Sequence, residues 1–455
     1  MARKKSKSTL AIIIFGLIIV GVVYVNTSVM FEKIAPEISM KNNGYWNLKD
    51  RLDLSISDES GIKSYKVTFY SSKGETVLHH EKPIKPEKSV KIDLKAPRNA
   101  FALKQEDIKV KVEAQDGSSW NFFKGNSSAK EFTITIDKRR PNTSIVSNSY
   151  GIKKGGSALV VFKATDENLE KIYIETNSNN KFTPQPFYKE GYYISLIAWP
   201  VTSSSFDASI IATDYAGNVK KTHIPLYLKP KNYKVSKIKI SDNFLKGKIA
   251  DLAEEFEETQ GVFEPLEQFK IINEKVRAKN EKRIHEMASV VDTDQQISSF
   301  KINKMYPLRN GKVVASFGDH RKYIYNGEQV SESYHLGLDL ASNAMATIRP
   351  QNGGKVVFTE YNGLYGNMPL IHHGLGLYTL YGHCSSINVN TGEEIAAKTD
   401  IANTGKSGYA MGDHLHFGVL VQGVEVRPEE WMDTQWIKLN VTDVINESKN
   451  IINKS

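Results

Sequence analysis

The sequence predicts a mainly β, multidomain chain behind one N-terminal transmembrane helix. Three observations carry this: a single uncharged apolar run near the start, alternating apolar and polar residues with turn signals over the next two hundred positions, and histidines crowded into strand-like surroundings near the end. At 455 residues and about 150 per domain, roughly three domains are expected. A composition of 40% hydrophobic and 24% charged residues excludes a mostly disordered chain and a polytopic membrane protein. The single cysteine, Cys384, excludes a disulfide framework and any multi-cysteine zinc or iron–sulfur site. The formal charge of +9 is uneven. Arg3, Lys4, Lys5 and Lys7 precede every domain, whereas residues 301–437 hold 11 Lys/Arg against 13 Asp/Glu. No nucleic-acid partner is expected of that region, because phosphate neutralisation needs a basic face.

Residues 9–25 carry no charge and at about 1.5 Å per residue reach roughly 25 Å, near the lower limit for crossing a bilayer. Val29, Met30 and Phe31 extend the run, giving an anchor over 9–31. The basic flank, residues 1–8, lies on the N-terminal side, so the positive-inside rule keeps it in the cytoplasm and sends the rest outside. A cleaved signal peptide needs small residues at its cleavage site, and Tyr24-Val25-Asn26-Thr27-Ser28 matches that poorly. The expected location is therefore the inner (cytoplasmic) membrane, single-pass, with the bulk of the chain in the periplasm or outside the cell.

Residues 33–138 and 139–232 read as two β-sandwiches. Leu52, Leu54 and Ile56 alternate with polar residues, as do Tyr65, Val67 and Phe69, then Val90, Ile92 and Leu94, then Ile108, Val110 and Val112. Period-two alternation with a turn every ten or so residues argues antiparallel sandwich. A weak repeat links the halves. Asp58-Glu59 precedes Tyr65 by the interval that separates Asp166-Glu167 from Tyr173, and Ala114-x-Asp116 with Asn121 echoes Ala212-x-Asp214 with Asn218. Asp and Asn cap sharp turns through the backbone, which accounts for the repeat. These segments resemble bacterial immunoglobulin-like modules, and a spacer role is expected. A helical pair follows over 241–290. Ser241-Asp242 caps a helix expected to run through Glu258, and Glu264-Pro265 starts a second with the apolar stripe Leu266, Phe269, Ile272, Val276 and Ile284. Packing, rather than regulation, is its expected role.

Residues 302–437 carry the chemistry, and 438–455 read as a tail. Seven of the eleven histidines lie between His320 and His416. Three patterns stand out: His335-Leu336-Gly337-Leu338-Asp339, Tyr381-Gly382-His383 and His414-Leu415-His416. On a strand, residues two or four apart share a face. His335 and Asp339 then point one way, as do His414 and His416, with Leu336, Leu338 and Leu415 in the opposite layer. Two nitrogens and one oxygen, with a fourth position open, is an arrangement catalytic zinc uses; iron or manganese also accepts such donors.

The same span, with Ala315-Ser316-Phe317-Gly318-Asp319, Gly363-Leu364-Tyr365-Gly366-Asn367, Thr404-Gly405-Lys406-Ser407-Gly408 and Gly412-Asp413-His414-Leu415-His416-Phe417, resembles the lysostaphin/LytM-type zinc endopeptidases, which cleave peptidoglycan peptide crosslinks. The resemblance implies a two-sheet antiparallel fold of the duplicated hybrid motif type, one Zn²⁺ per chain on His335, Asp339 and His416, and His383 and His414 as catalytic groups. It implies a peptidoglycan peptide as substrate, with a regulatory envelope protein as a further partner. The turn Ala344-Met345-Ala346-Thr347 and the pair Met368-Pro369 depart from the family pattern at loops, away from these five positions. Without a His-Glu-x-x-His glutamate, His383 and His414 are the candidates for proton transfer, and which is acid and which base stays open. Cys384, His372, His373, Tyr334 and Tyr381 are expected to pack or to border the site. The alternative function is a non-catalytic peptidoglycan-binding activator or scaffold of other cell-wall hydrolases.

Overall fold

The computed structural model describes residues 5–454. Residues 1–4 of the basic tail and Ser455 lie outside the described residues. The chain is mostly β and divides into two compact units. The first comprises residues up to 141 with 166–170 and 213–219; the second comprises 142–165, 171–212 and 220–455.

The first unit begins with the helix Lys5–Thr27, of which residues 9–27 are long and apolar enough to cross a membrane. Its β part is a seven-stranded sheet organised around the 20-residue strand Leu52–Ser71. The first half of this strand pairs with Glu37–Lys41 and Glu87–Leu94, and the second half with Gly74–Glu81 and Asp107–Asp116. The sequence suggested two separate strands here. A register shift between Ser57 and Ile62 joins them instead, with Gly61 at φ +88° in the bulge. The alternating residues Leu54, Ile56, Val67, Phe69, Val110 and Val112 form the core with Trp46, as period-two patterning requires.

The second unit contains two four-stranded sheets. One runs in the order Gln185–Pro186, Tyr192–Ala198, Ser157–Thr165, Asn142–Asn148. The other runs Lys181–Phe182, Leu169–Thr176, Ala208–Asp214, Val219–His223, with its ends at 169–170, 213–214 and 219 counted in the first unit. Ala158 to Phe162 is apolar without alternation and buried throughout. A strand covered on both faces reads this way. The last segment of the chain, expected as a tail, is the helix Asp443–Lys454, which buries Val444, Ile445 and Ile452 and packs on the strands Asn142–Asn148 and Ser157–Thr165. Ser147 donates to Glu447 at 2.9 Å and Ser149 to the Asn440 carbonyl at 2.9 Å.

The remainder of this unit is built on an eight-stranded sheet. Its order is Lys312–Ala315, Leu338–Ala341, Leu415–Val421, Leu377–Gly382, Leu370–His372, Gly354–Phe358, Glu394–Ile395, and Val424–Val426 pairs with Leu415–Val421. Leu415–Val421 is central and fully buried. Its apolar residues share one continuous core with Leu159, Phe162, Leu196 and Trp199 of the preceding sheets. A three-stranded sheet flanks it, in which Val235–Lys239 pairs parallel to His320–Tyr325, and His320–Tyr325 pairs antiparallel to Glu328–Tyr334.

The helical segment packs directly on this sheet system. Ser241 caps the helix Asp242–Phe244 by accepting the Phe244 N–H. The helix then runs on only to Glu255, short of the expected Glu258. Pro265 opens the second helix, which continues through Met287. Phe269, Ile272 and Val276 bury against Tyr323 and Leu364, and Ile284 buries against Phe358, Tyr365 and Leu380.

Candidate metal centre and groove

Asp339 and His416 sit opposite each other on the adjacent strands Leu338–Ala341 and Leu415–Val421. Gly382, at the end of the next strand, pairs with His416 from the other side and places His383 beside it. His335 does not lie on the strand of Asp339, contrary to the strand geometry expected from the motif. It occupies the turn between Glu328–Tyr334, which belongs to the flanking sheet, and Leu338–Ala341. The two side chains nevertheless meet, because Gly337 in that turn lets the chain pass close to the His416 ring; a Cβ there would come within 2.7 Å of it. Leu338 and Leu415 are buried away from the site as expected, but Leu336 borders the groove.

His335 Nε2 lies 2.9 Å from Asp339 Oδ1, His416 Nδ1 lies 2.9 Å from the same oxygen, and the two nitrogens are 3.2 Å apart. His335 and His416 are buried. His335 Nδ1 is 3.0 Å from the Ser316 carbonyl. A carbonyl only accepts, so Nδ1 carries a proton and Nε2 is the nitrogen that faces Asp339. His335, Asp339 and His416 are three residues that could hold a metal ion.

His383 and His414 face one another with ring centroids 4.8 Å apart, and His383 is 5.9 Å from the His416 ring. Each directs Nδ1 to a backbone carbonyl, His383 to Ser407 and His414 to Gly412, both at 2.8 Å. Each therefore turns Nε2 the other way, and His414 Nε2 lies 3.7 Å from Asp339 Oδ1. Burial, reinforced by the neighbouring His416 and His414, pushes the pKa of His383 down to about 3, so it stays neutral. Its φ of +65° is unusual for a residue with a Cβ.

A cavity of about 470 Å³ opens over these groups. Phe244 and Arg277 come from the helical segment, which thus borders the groove instead of only spacing it, and Tyr409 stands beside them. Arg321 also reaches in, with Nη2 3.9 Å from Asp339 Oδ2 and Nε 3.8 Å from Asp319. No sequence pattern marks the carbonyls of Ser316 and Ser407 that fix the imidazole tautomers, because a carbonyl is present at every residue.

The other residues near the motif are occupied elsewhere. His373 bonds the Gly353 carbonyl at 2.8 Å and Thr379 at 2.7 Å, and burial pushes its pKa down to about 4. His372 stacks on Tyr378 at 4.5 Å. The Cys384 thiol is buried, donates to the Tyr381 carbonyl at 3.2 Å and has its pKa pushed up to about 12 by burial. Tyr381 is buried in the core, whereas Tyr334 borders the groove.

Residues 333–428 match Peptidase family M23. The chain is 28% identical over 158 residues, 34% of its length and 41% of the relative's, to an uncharacterized metalloprotease of Buchnera aphidicola subsp. Baizongia pistaciae. It is 29% identical over 129 residues, 28% of its length and 29% of the relative's, to the peptidoglycan DD-endopeptidase ShyB of Vibrio cholerae. The chain thus spans less than half the length of these curated relatives. Among solved structures it is similar to the catalytic domain of lysostaphin from Staphylococcus simulans, at 26% identity and TM-score 0.23, covering 27% of this chain and 92% of that one.

Proposed function

We propose that this M23 peptidase domain, residues 302–437, is an active zinc endopeptidase that cuts peptide crosslinks of peptidoglycan outside the cytoplasmic membrane. The observation that carries the reading is the convergence of His335, Asp339 and His416 on one point beneath the cavity. Two imidazole nitrogens and a carboxylate oxygen, with no thiolate, suit zinc. His335 Nε2 and His416 Nδ1 both face one carboxylate oxygen of Asp339, an arrangement that a single cation can bridge. When bound there, zinc would polarise the scissile carbonyl and make water a stronger nucleophile near neutral pH.

The residues of the chain do the rest. Ser316 and Ser407, through their carbonyls, hold His335 and His383 in single tautomers. Neutral His383 offers a lone pair that accepts a proton from the attacking water. That proton then passes to the departing amine as the C–N bond breaks, with His414 at the rim lining its path. Arg321 and Tyr365 flank the pocket, and Tyr365 packs on the His416 ring at 5.5 Å. Residues 9–31 serve as a single-pass anchor, and the sandwiches at 33–138 and 139–232 serve as spacers between membrane and substrate.

The test is digestion of purified peptidoglycan by the full chain, read by mass spectrometry, with metal analysis of the same protein. Wild type is expected to hold one zinc and release uncrosslinked peptides, and Asp339→Ala to lose both. Zinc-loaded protein that binds peptidoglycan without cutting it would make the domain a binding module. Full zinc occupancy in Asp339→Ala would show that the ligands are misassigned.

A further inference from the structure

The strongest feature outside the groove lies in the first unit. The ligand oxygens of Asp137, Asp166 and Asp214 lie within 4.8 Å of one another. Asp137 and Asp214 are buried and Asp166 is half-buried. The nearby Arg139 guanidinium goes to Glu167 at 3.1 Å, outside the trio. Three carboxylates gathered this closely repel one another unless something positive stands between them.

A fourth oxygen points to what that is. Asn168 is only 7% exposed, and its amide adjoins the trio, with Nδ2 3.2 Å from Asp137 Oδ2. Its Oδ1 is shut off from solvent and has no hydrogen-bond partner among the described residues. Buried amide oxygens are rarely left without a donor. A carbonyl oxygen and three carboxylates, without imidazole or thiol, form a hard all-oxygen donor set, which Ca²⁺ accepts in flexible geometry and Mg²⁺ fits poorly without keeping water.

The first unit contains an internal comparison. Glu32, Asp58 and Asp116 form a similar trio. Asn126 donates from N and Nδ2 to Asp116 and from Nδ2 to the Glu32 carbonyl, at 2.8, 2.7 and 3.1 Å. Asn218 donates in the same way to Asp214 and to the Asp137 carbonyl, at 2.8, 2.9 and 3.0 Å. The two differ where the fourth oxygen sits. Ser60 takes the place of Asn168, and its hydroxyl is spent on Asp58 at 2.7 Å; Glu32 is only half-buried. The repeated turns explain the shared bonds as local capping. The first trio also has a buried oxygen without a partner, Glu32 Oε1, but on a half-buried residue, whereas Asn168 is nine-tenths buried.

We infer that Asp137, Asp166, Asp214 and Asn168 form a calcium site. Calcium titration of the full chain in detergent, with zinc present in excess of one equivalent, tests it by calorimetry and by thermal unfolding. Wild type is expected to bind calcium with a Kd of about 10⁻⁴–10⁻³ M, as extracellular modules do, and to unfold at higher temperature with calcium than with chelator. Asp214→Asn, which keeps one of the two acceptor oxygens that Asn218 uses, is expected to lose one calcium equivalent, and Asn168→Ala to weaken binding at least tenfold. Asp116→Asn, in the first trio, should leave that equivalent in place. In chelator Asp214→Asn should melt close to wild type, because the loss of one of three like charges offsets the loss of one Asn218 bond. Absence of a calcium isotherm in wild type up to about 10 mM, or wild-type calcium affinity in either variant of the second trio, overturns the site. So does a destabilised Asp214→Asn that melts alike with and without calcium, since that outcome assigns the trio to turn capping alone.

Discussion

His383 combines three properties seldom found together: a positive φ, a buried imidazole and a depressed pKa. A side chain that only filled space would not require that backbone. In the proposed mechanism it touches water and not the metal, so His383→Ala should keep one zinc while turnover on crosslinked peptidoglycan falls by about 10²–10⁴-fold. Near wild-type cleavage by that variant would remove His383 from the chemistry. Glu430 poses a different question. It is buried, and burial, partly offset by the Ser157 N–H and by Arg427 and Lys153, raises its pKa from the ordinary 4.5 to about 7. Between those values the unfolded chain has lost this proton while the folded chain keeps it. Its contribution to stability is therefore full at low pH and declines as pH rises through the window. Glu430→Gln keeps an acceptor for the Ser157 N–H, which Glu430 now takes at 3.0 Å. The melting temperature of the variant should fall less steeply than wild type between pH 4.5 and pH 7. An identical slope would mean that Glu430 is already ionised in the folded protein. At this scale the sequence was most readable where chemistry needs rare residue types. His335, Asp339 and His416 could be placed together from their motifs, although the strand logic used for His335 does not describe its turn. Arg321 and the carbonyl contacts carry no pattern and emerged only with the fold.

At the scale of elements, period governed what could be read. The alternating strands of the first sheet and the stripe on the second helix follow from spacing, and the stripe residues Phe269, Ile272, Val276 and Ile284 are buried. Spacing does not say what an apolar stripe will meet. Here it meets Tyr323 and Leu364, so the helices belong to the groove wall. Phe269 packs edge-on against Tyr323 at 5.1 Å and against Phe244 at 6.3 Å. Phe269→Ala should cost about 3–5 kcal/mol, measured by denaturant unfolding, and should raise KM for soluble crosslinked peptide by loosening Phe244. Unchanged KM in a destabilised but folded variant would restrict the helices to a packing role. The C-terminal helix escaped the sequence reading for the same reason. Its apolar residues are few, and they matter because the strand Ser157–Thr165 has a second face to cover.

For the molecule as a whole, the basic residues flanking one apolar helix predict that the chain after it lies outside the cytoplasm. A reporter fused after the last residue should be active only if it functions in a secreted compartment. Activity of a cytoplasm-only reporter there would rule out the single-pass topology. How segments group was not readable, because burial of one sheet by residues two hundred positions later leaves no local trace. The continuous core from Leu159 to Val421 has a physical result that linear order hides. Asn232 is exposed in the connection after the second pair of sheets, so a protease can nick the backbone there. The two fragments would then remain one particle through gel filtration and part only in denaturant, held by Glu430 on Ser157, Gln422 on Thr183 and the C-terminal helix. Covalent continuity at that point is mechanically redundant: pulling on one fragment pulls on the other.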